Sequence, residues 1–161
     1  MLHPYWITDI NAVTIGISYR PGGGEDLRKD LEKHKGTRPL LVVSLLEIEE
    51  AKILGLEHEK EVCEAVGINY FSFPIKDGSI PGYAKFVENI EQLYGMTKKE
   101  GRLLIHCHHG KGRSSLIALG LMVKHGLPLE ESKEKVSSIR GFPVPSTKSQ
   151  WKLLKHYAQN G

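Results

Sequence analysis

Cys107 and Arg113, six positions apart, are the residue types in this chain best suited to covalent chemistry. An apolar run over residues 103–105 leads into His106 and Cys107, a glycine-broken loop follows, and Arg113 opens a second apolar-periodic segment. This order is typical of a buried strand, a tight loop and a helix. The backbone N–H groups of such a loop and the N-terminus of the helix converge on one point, which makes an anion site.

The same positive field would favour ionisation of the Cys107 thiol, and a thiolate is a nucleophile. The guanidinium fork of Arg113 suits the oxygens of a phosphate. We therefore interpret the segment as a cradle for a phosphoryl group with a cysteine thiolate at its base. The alternative is a buried structural cysteine, which would leave the neighbouring glycines, Lys111 and Arg113 unexplained.

The composition is ordinary for a globular protein, with 161 residues of which 40% are hydrophobic and 25% charged. This length suits one domain over residues 1–161. The formal net charge of +3 does not by itself indicate nucleic-acid binding. We expect neither a leader nor a membrane span, because no apolar run is long enough. With Cys107 in a reactive setting, a disulfide to Cys63 is not expected, and we predict a cytoplasmic protein.

Strand and helix signals alternate along the chain. We expect strands at residues 5–7, 13–17, 40–46, 68–73 and 102–106, and helices at 25–35, 47–54, 57–66, 83–99, 113–123, 129–139 and 147–159. Residues 9–11 are expected to form a turn, and Ser146 to cap the last helix. The alternation predicts an α/β fold with a mainly parallel central sheet flanked by helices. Ligands of such sheets lie beyond the carboxyl ends of the strands, where Cys107 is expected.

His106-Cys107, five intervening residues and then Arg113-Ser114 resembles the signature of the protein tyrosine phosphatase superfamily. The short chain resembles the compact dual-specificity branch, including its small archaeal and bacterial members. Further resemblance lies at residues 20–24, 73–81 and 147–150. The resemblance implies the cysteine-dependent phosphatase fold and hydrolysis of phosphomonoesters through a cysteinyl-phosphate intermediate. With little sequence to wall a deep pocket, we expect a shallow cleft that accepts phosphotyrosine and also phosphoserine or phosphothreonine.

The resemblance implies a role for each residue of the signature. Cys107 attacks phosphorus, and Arg113 holds the equatorial oxygens of the phosphoryl group. Ser114 donates to the sulfur when it leaves as a thiolate, and His106 orders the loop. The rest of the loop would bind the substrate through His108, His109, Gly110, Lys111, Gly112 and Arg113.

Two residues outside the signature complete the predicted site. Asp77 lies in a Pro-Ile-x-Asp-Gly loop that resembles the acid loop of the family, so it is the predicted general acid and then the base. Gln150 lies where the family has a glutamine that positions the attacking water. The alternatives are a plain turn aspartate and an exposed helix glutamine.

Other functions remain open on the sequence alone. A metal cluster at the three histidines around Cys107 is disfavoured, because adjacent strand residues point to opposite faces, and we predict neither metal nor cofactor. Gly-Lys-Gly-Arg before a hydroxyl residue resembles the lipid-phosphatase branch, so a phosphoinositide or other polyphosphate phosphatase is one alternative. A phospho-binding module without turnover is another. We predict phosphorylated proteins or peptides as partners and a phosphate-like anion in the site, without nucleic acid or a membrane span.

Overall fold

Strands and helices alternate in the computed structural model, which describes residues 1–97 and 101–160. The strands are β1 (Tyr5–Ile10), β2 (Val13–Ser18), β3 (Leu40–Ser44), β4 (Asn69–Ser72) and β5 (Arg102–His106). The helices are α1 (Asp26–Lys35), α2 (Ile48–Ile53), α3 (Glu59–Val66), α4 (Tyr83–Thr97), α5 (Gly112–Lys124), α6 (Leu129–Arg140) and α7 (Lys148–Asn160).

The strands form one sheet in the order β1-β2-β5-β3-β4. All neighbouring pairs are parallel except β1 and β2, which form an antiparallel hairpin. The predicted α/β fold with a mainly parallel sheet flanked by helices is therefore confirmed. His106, the last residue of β5, is in register with Ser18 of β2 and with Ser44 of β3. Three strands thus end together at the edge where Cys107 begins the next loop.

The two faces of the sheet carry separate hydrophobic cores, because successive strand residues point to opposite sides. Leu103 and Ile105 pack into the larger core with Cys107, whereas Leu104 packs into the smaller one with Cys63. Residues 113–122 of α5 are all buried, since α5 lies between the sheet and the other helices of the larger core. The helix that follows the loop after β5 is consequently the most buried helix that the structure describes.

The structure corrects two local predictions. β1 continues to Ile10, and the turn lies at Asn11 and Ala12, because the pairing of Ile10 with Val13 leaves only two residues between the strands. Thr147, not Ser146, caps α7. The Thr147 hydroxyl accepts a hydrogen bond of 3.1 Å from the backbone N–H of Gln150.

The remaining predicted elements are present with ends shifted by a few residues. Helix α4 is described to Thr97, and the rest of the predicted helix at residues 98–99 lies outside the described residues. None of the helices in the described ranges has the length and apolar character needed to cross a bilayer.

Candidate active site

The loop between β5 and α5, residues 107–111, curls around the sulfur of Cys107. Gly110 has a φ of +68°, a conformation that side chains disfavour. A Cβ at this position would lie 2.7 Å from the carbonyl oxygen of Ser18, so the loop also approaches β2 too closely for any other residue. As predicted, helix α5 begins directly after the loop, and the N–H groups of Gly110 and Ser114 are directed at the sulfur.

Cys107 lies in the floor of a pocket and is 3% exposed. Burial alone would raise the pKa of its thiol. The hydroxyl and N–H of Ser114, then the charge of Arg113 and the N–H of Gly110, act in the opposite direction and bring the pKa of Cys107 below that of an ordinary cysteine. The buried hydroxyl of Ser114 has no oxygen or nitrogen partner within residues 1–97 and 101–160. It is therefore free to interact with the sulfur.

Arg113 is buried beside Cys107 and is held by an acid from α2. Its Nη1 and Nη2 donate to the two carboxylate oxygens of Glu50 at 2.6 and 2.9 Å, and Nη1 also donates to the carbonyl of Ile75 at 3.0 Å. Burial would raise the pKa of Glu50, but the hydrogen bond from Arg113 and the other contacts lower it overall. The Nε–H of Arg113 has no hydrogen-bond partner in the described part of the chain, which leaves it for a ligand.

Glu50 was not predicted as a site residue. Its carboxylate also accepts the N–H of Glu47 at 3.1 Å, which completes a capping box at the start of α2. The helix cap thereby fixes the position of the carboxylate that orients Arg113. The sequence feature that could have identified Glu50 was an acidic cluster shortly after the buried strand β3, at the edge of the sheet where ligands bind.

Asp77 lies at the mouth of the pocket. Its side chain is 79% exposed, and Oδ1 is 3.6 Å from Nη2 of Arg113. The loop around it makes a turn, with Gly78 at a φ of +77° and the N–H of Ser79 donating to the carbonyl of Lys76. Asp77 is thus both a turn residue and a pocket residue, and its carboxyl is open to solvent.

Gln150 is buried rather than exposed, because its side chain folds back over the start of α7. Its amide oxygen accepts the N–H groups of Ser146 and Thr147 at 2.9 and 3.2 Å, the second half of a Thr-x-x-Gln capping box. Its Nε2 lies beside Gly112, 3.0 Å from the place that a Cβ would take there. The amide therefore presents N–H donors to the pocket.

His106 lies beneath the loop and is fully buried. Its Nε2 is 2.6 Å from a carboxylate oxygen of Glu59, and its Nδ1 is 3.1 Å from the carbonyl oxygen of Cys107. Burial alone would lower the pKa of His106, but Glu59 and the Cys107 carbonyl outweigh it and raise that pKa. A buried ion pair thus supports the backbone at Cys107, and Glu59 is a second acid that sequence reasoning did not select.

Arg140, at the end of α6, holds the loop from its outer side. Its Nη2 donates to the carbonyls of Gly110 and His109 at 3.0 and 3.3 Å. The guanidinium is stacked 4.0 Å from the ring centroid of Tyr5 and 4.9 Å from that of Phe142. No local sequence pattern identified this role, because Tyr5 and the loop carbonyls that Arg140 contacts are distant in the chain.

The pocket has a volume of about 210 Å³. Most of the predicted site residues line it: Asp77, Cys107, His108, His109, Lys111, Gly112, Arg113 and Gln150. The others, His106, Gly110 and Ser114, form its support. The structure thus brings the predicted residues together.

The rim of the pocket is cationic and aromatic. The rings of His108 and His109 stack at 4.0 Å, and the Nζ of Lys111 lies 5.1 Å from the ring centroid of Phe142. Burial, together with the neighbouring charges of His109 and Arg20, lowers the pKa of His108. His108 is therefore less readily protonated than an ordinary histidine.

The glycine-rich segment at residues 20–24 lies mostly away from the pocket. The N–H of Arg20 donates to the carbonyl of His108 at 3.3 Å. Gly23, however, packs on residues 54–55, and a Cβ on it would lie 1.9 Å from the carbonyl oxygen of Leu54. This segment therefore supports the fold and does not line the site.

Between residues 1–97 and 101–160, no three His, Cys, Asp or Glu side chains are grouped as a metal ion would require. Cys63 lies on the opposite face of the sheet from Cys107, and burial raises the pKa of its thiol.

Comparison with solved structures shows that the fold is shared with known phosphatases. A kinase associated phosphatase (KAP) with its catalytic site cysteine replaced by serine superposes with a TM-score of 0.85 at 23% identity, covering 98% of this chain and 94% of that one. The active form of Tk-PTP superposes with a TM-score of 0.78, also at 23% identity, covering 98% and 97% of the two chains.

Comparison with curated sequences identifies named proteins that are similar to this chain. Human cyclin-dependent kinase inhibitor 3 is 30% identical over 99 residues, which cover 60% of this chain and 47% of the human protein. Human dual specificity protein phosphatase 4 is 33% identical over 92 residues, covering 56% and 23% of the two chains. The matched region thus spans about half or less of the length of these curated relatives.

A family model extends the match over most of the central part of the chain. The model described as cyclin-dependent kinase inhibitor 3 (CDKN3) matches residues 25–131, more than half of the sequence. The matched region includes Asp77, Cys107 and Arg113. The chain therefore belongs to the cyclin-dependent kinase inhibitor 3 family, whose members have a fold like that of the dual-specificity phosphatases.

Proposed function

We propose that this chain, as a single domain, is a cysteine-dependent phosphatase that hydrolyses phosphomonoesters through a cysteinyl-phosphate intermediate. The observation that carries the proposal is the position of Cys107. Its sulfur has a lowered pKa and lies beside the guanidinium of Arg113 in a pocket that Asp77 borders. This arrangement supplies a nucleophile, a clamp for a phosphoryl group and an acid within one small volume.

In the first step, the Cys107 thiolate attacks phosphorus while the ester oxygen leaves on the opposite side. The S–P bond forms, the P–O bond breaks, and Asp77 gives its proton to the leaving oxygen. Arg113 and the N–H groups around the sulfur bind the three equatorial oxygens, whose charge they stabilise most in the transition state.

In the second step, water attacks phosphorus and the S–P bond breaks. Asp77 now takes the proton of the water, and the N–H donors of Gln150 orient the nucleophile. Ser114 donates to the sulfur and stabilises the thiolate that leaves. Inorganic phosphate then departs, and the site returns to its starting state.

Phosphorylated proteins or peptides are the proposed substrates, with phosphotyrosine and phosphoserine or phosphothreonine as reacting residues. The names of the relatives support this assignment, since they include dual specificity protein phosphatases and a kinase associated phosphatase. Phosphorylated kinases are accordingly among the proposed partners. A thiol with a lowered pKa suits a reducing compartment, so we place the protein in the cytoplasm.

Hydrolysis of p-nitrophenyl phosphate tests the proposal, with Cys107→Ser as the matched variant. We expect the wild-type protein to release p-nitrophenol, and the variant to lose turnover while it still binds phosphate. Phosphopeptides and phosphoinositides, assayed side by side, then define the substrate class. An inactive wild-type protein that binds phosphate would be a phospho-binding module, and an undiminished rate in the variant would rule out the cysteine mechanism.

A further inference from the structure

A second cavity, of about 490 Å³, lies directly beside the Cys107 pocket. Residues 143–147 form one of its walls, and Ser146 and Thr147 line both cavities. Nothing in the proposed phosphatase mechanism uses this second cavity. A chain that projects from a residue bound at Cys107 would pass these two residues to reach it.

Lysines surround this cavity, which we name the lysine groove. Its defining residues are Lys133, Lys148, Trp151, Lys152 and Lys155. Lys148, Lys152 and Lys155 follow one another at helical spacing, so they lie on one exposed face of α7. Lys133 reaches across from α6, with its Nζ 4.8 Å from the ring centroid of Trp151. No acidic side chain lines the groove within the described residues.

The C-terminal part of the sequence is basic, and Lys148, Lys152 and Lys155 of the groove belong to it. Residues 135–161 contain five Lys or Arg and no Asp or Glu, whereas residues 1–134 contain 17 basic and 19 acidic side chains. The net charge of +3 is therefore the sum of a strongly basic C-terminal segment and a slightly acidic remainder of the chain. A basic surface attracts anionic partners and accelerates their association.

We infer that the lysine groove binds acidic residues that flank the phosphorylated residue of a protein substrate. The inference rests on the proposed function and adds a substrate class to it. An extended chain advances about 3.3 Å per residue, so acidic residues a few positions from the phosphorylated one reach the groove while the phosphate occupies the Cys107 pocket. Trp151 supplies an apolar surface for the extended backbone.

The groove suits a peptide better than a membrane surface. It is a groove next to the catalytic pocket, and Ser146 and Thr147 line both. Membrane docking by a basic surface also needs exposed apolar side chains that enter the bilayer. Among the described residues, none of the large exposed apolar side chains, such as Ile139, lines the groove.

Two phosphotyrosine peptides that differ only in their flanks test the inference. One carries Glu on both sides of the phosphotyrosine, and the other carries Gln at the same positions. We expect the ratio of their kcat/KM values to be about tenfold in favour of the Glu peptide at low ionic strength, and to fall in high salt. The Lys148→Gln/Lys152→Gln/Lys155→Gln variant should bring the ratio close to one.

Lys29, Lys33 and Lys60 provide the matched control, because they are exposed lysines on α1 and α3. The Lys29→Gln/Lys33→Gln/Lys60→Gln variant makes the same change in net charge and should keep the wild-type ratio. A wild-type ratio near one, or a ratio that survives the groove variant, would overturn the inference. So would equal effects of the two triple variants, since only the total charge would then matter.

Binding measurements separate this inference from the proposed function. In the Cys107→Ser protein, fluorescence anisotropy of the labelled peptides should show tighter binding of the Glu peptide, and the groove variant should remove that difference. This preference can be measured even if the wild-type protein fails to hydrolyse p-nitrophenyl phosphate, a failure that would refute the proposed function alone. If the groove variant instead loses binding to phosphatidylserine vesicles and keeps the peptide preference, the occupant is a membrane and the inference is wrong.

Discussion

Glu50 and Arg113 form two parallel hydrogen bonds of 2.6 and 2.9 Å, although 63 positions separate them in the chain. This contact fixes the plane of the guanidinium before any ligand arrives. Donors that are already oriented need no reorganisation during the reaction, so their stabilisation of the transition state is larger. Glu50 is therefore a positioning residue in the proposed mechanism, because it acts through Arg113.

Replacement of Glu50 should weaken transition-state binding more than ground-state binding. We expect Glu50→Gln to lower kcat/KM about tenfold, since an amide holds the guanidinium less firmly than a carboxylate. Vanadate, which adopts the geometry of the transition state, should lose more affinity than phosphate does. The control is Glu49→Gln on the same helix, where the Glu49 side chain is 82% exposed. This variant should leave kcat/KM and the affinity for vanadate unchanged. A rise in kcat/KM would show that Glu50 competes with phosphate for Arg113.

The position of Asp77 at the mouth of the pocket gives a leaving-group prediction. Asp77→Asn cannot donate a proton, so esters with poor leaving groups should slow about 100-fold, while esters with good leaving groups should slow much less. A series of aryl phosphates measures this dependence as the slope of log kcat/KM against leaving-group pKa. Ser79→Ala, a change in the same loop, should keep the wild-type slope. Equal losses for all leaving groups would remove Asp77 from the role of acid.

The hydroxyl of Ser114 lowers the pKa of Cys107, and its removal has a defined sign. In Ser114→Ala the pKa of Cys107 should rise, so the thiolate forms at higher pH. The acidic limb of the plot of kcat/KM against pH should therefore shift to higher pH. The phosphoenzyme should also break down more slowly, because the leaving thiolate has lost a donor, and a burst of p-nitrophenol should appear. Ser115→Ala removes an equally buried hydroxyl and should show neither effect. An unchanged pH profile in Ser114→Ala would contradict the assignment.

The buried pair of Glu59 and His106 predicts a pH-dependent contribution to stability. The pKa of folded His106 is raised, so the stabilisation is complete below the pKa of an unfolded histidine and is lost as pH rises through the folded value. In Glu59→Gln the free energy of unfolding should fall by about 3 kcal/mol at mildly acidic pH and by less at alkaline pH. Chemical denaturation at several pH values measures the difference, with the exposed Glu61→Gln as the control. A destabilisation by Glu59→Gln that becomes larger as pH rises would contradict the predicted pH dependence.

The sequence was sufficient to locate the signature and the loop of the proposed acid, because both are local patterns. Cys107 and Arg113 lie within one strand–loop–helix unit, and Asp77 lies in a recognisable turn. The cap of α7 was misplaced by one residue. Ser146 and Thr147 both have capping side chains, and only the reciprocal bonds with Gln150 select Thr147.

The residues that hold the loop and its flanking side chains in place could not be predicted from any local sequence pattern. Glu50, Glu59 and Arg140 come from α2, α3 and α6, and each makes a long-range contact with the loop or with a residue that flanks it. In a linear sequence these residues look like surface charges of amphipathic helices, the usual place for Glu and Arg. Their contacts depend on how the helices pack around the end of β5.

The sequence by itself determined the positions of the proposed nucleophile and its arginine and the α/β order of elements, because residue type, spacing and hydrophobic period act over short distances. Only the tertiary structure decided which acid orients Arg113, which acid pairs with His106 and where the lysines of α7 lie relative to the pocket. The physical reason is that a parallel sheet brings the ends of strands distant in the chain to one edge. The contacts of a charged residue at that edge are set by residues that are distant in the sequence, so the linear order does not reveal them.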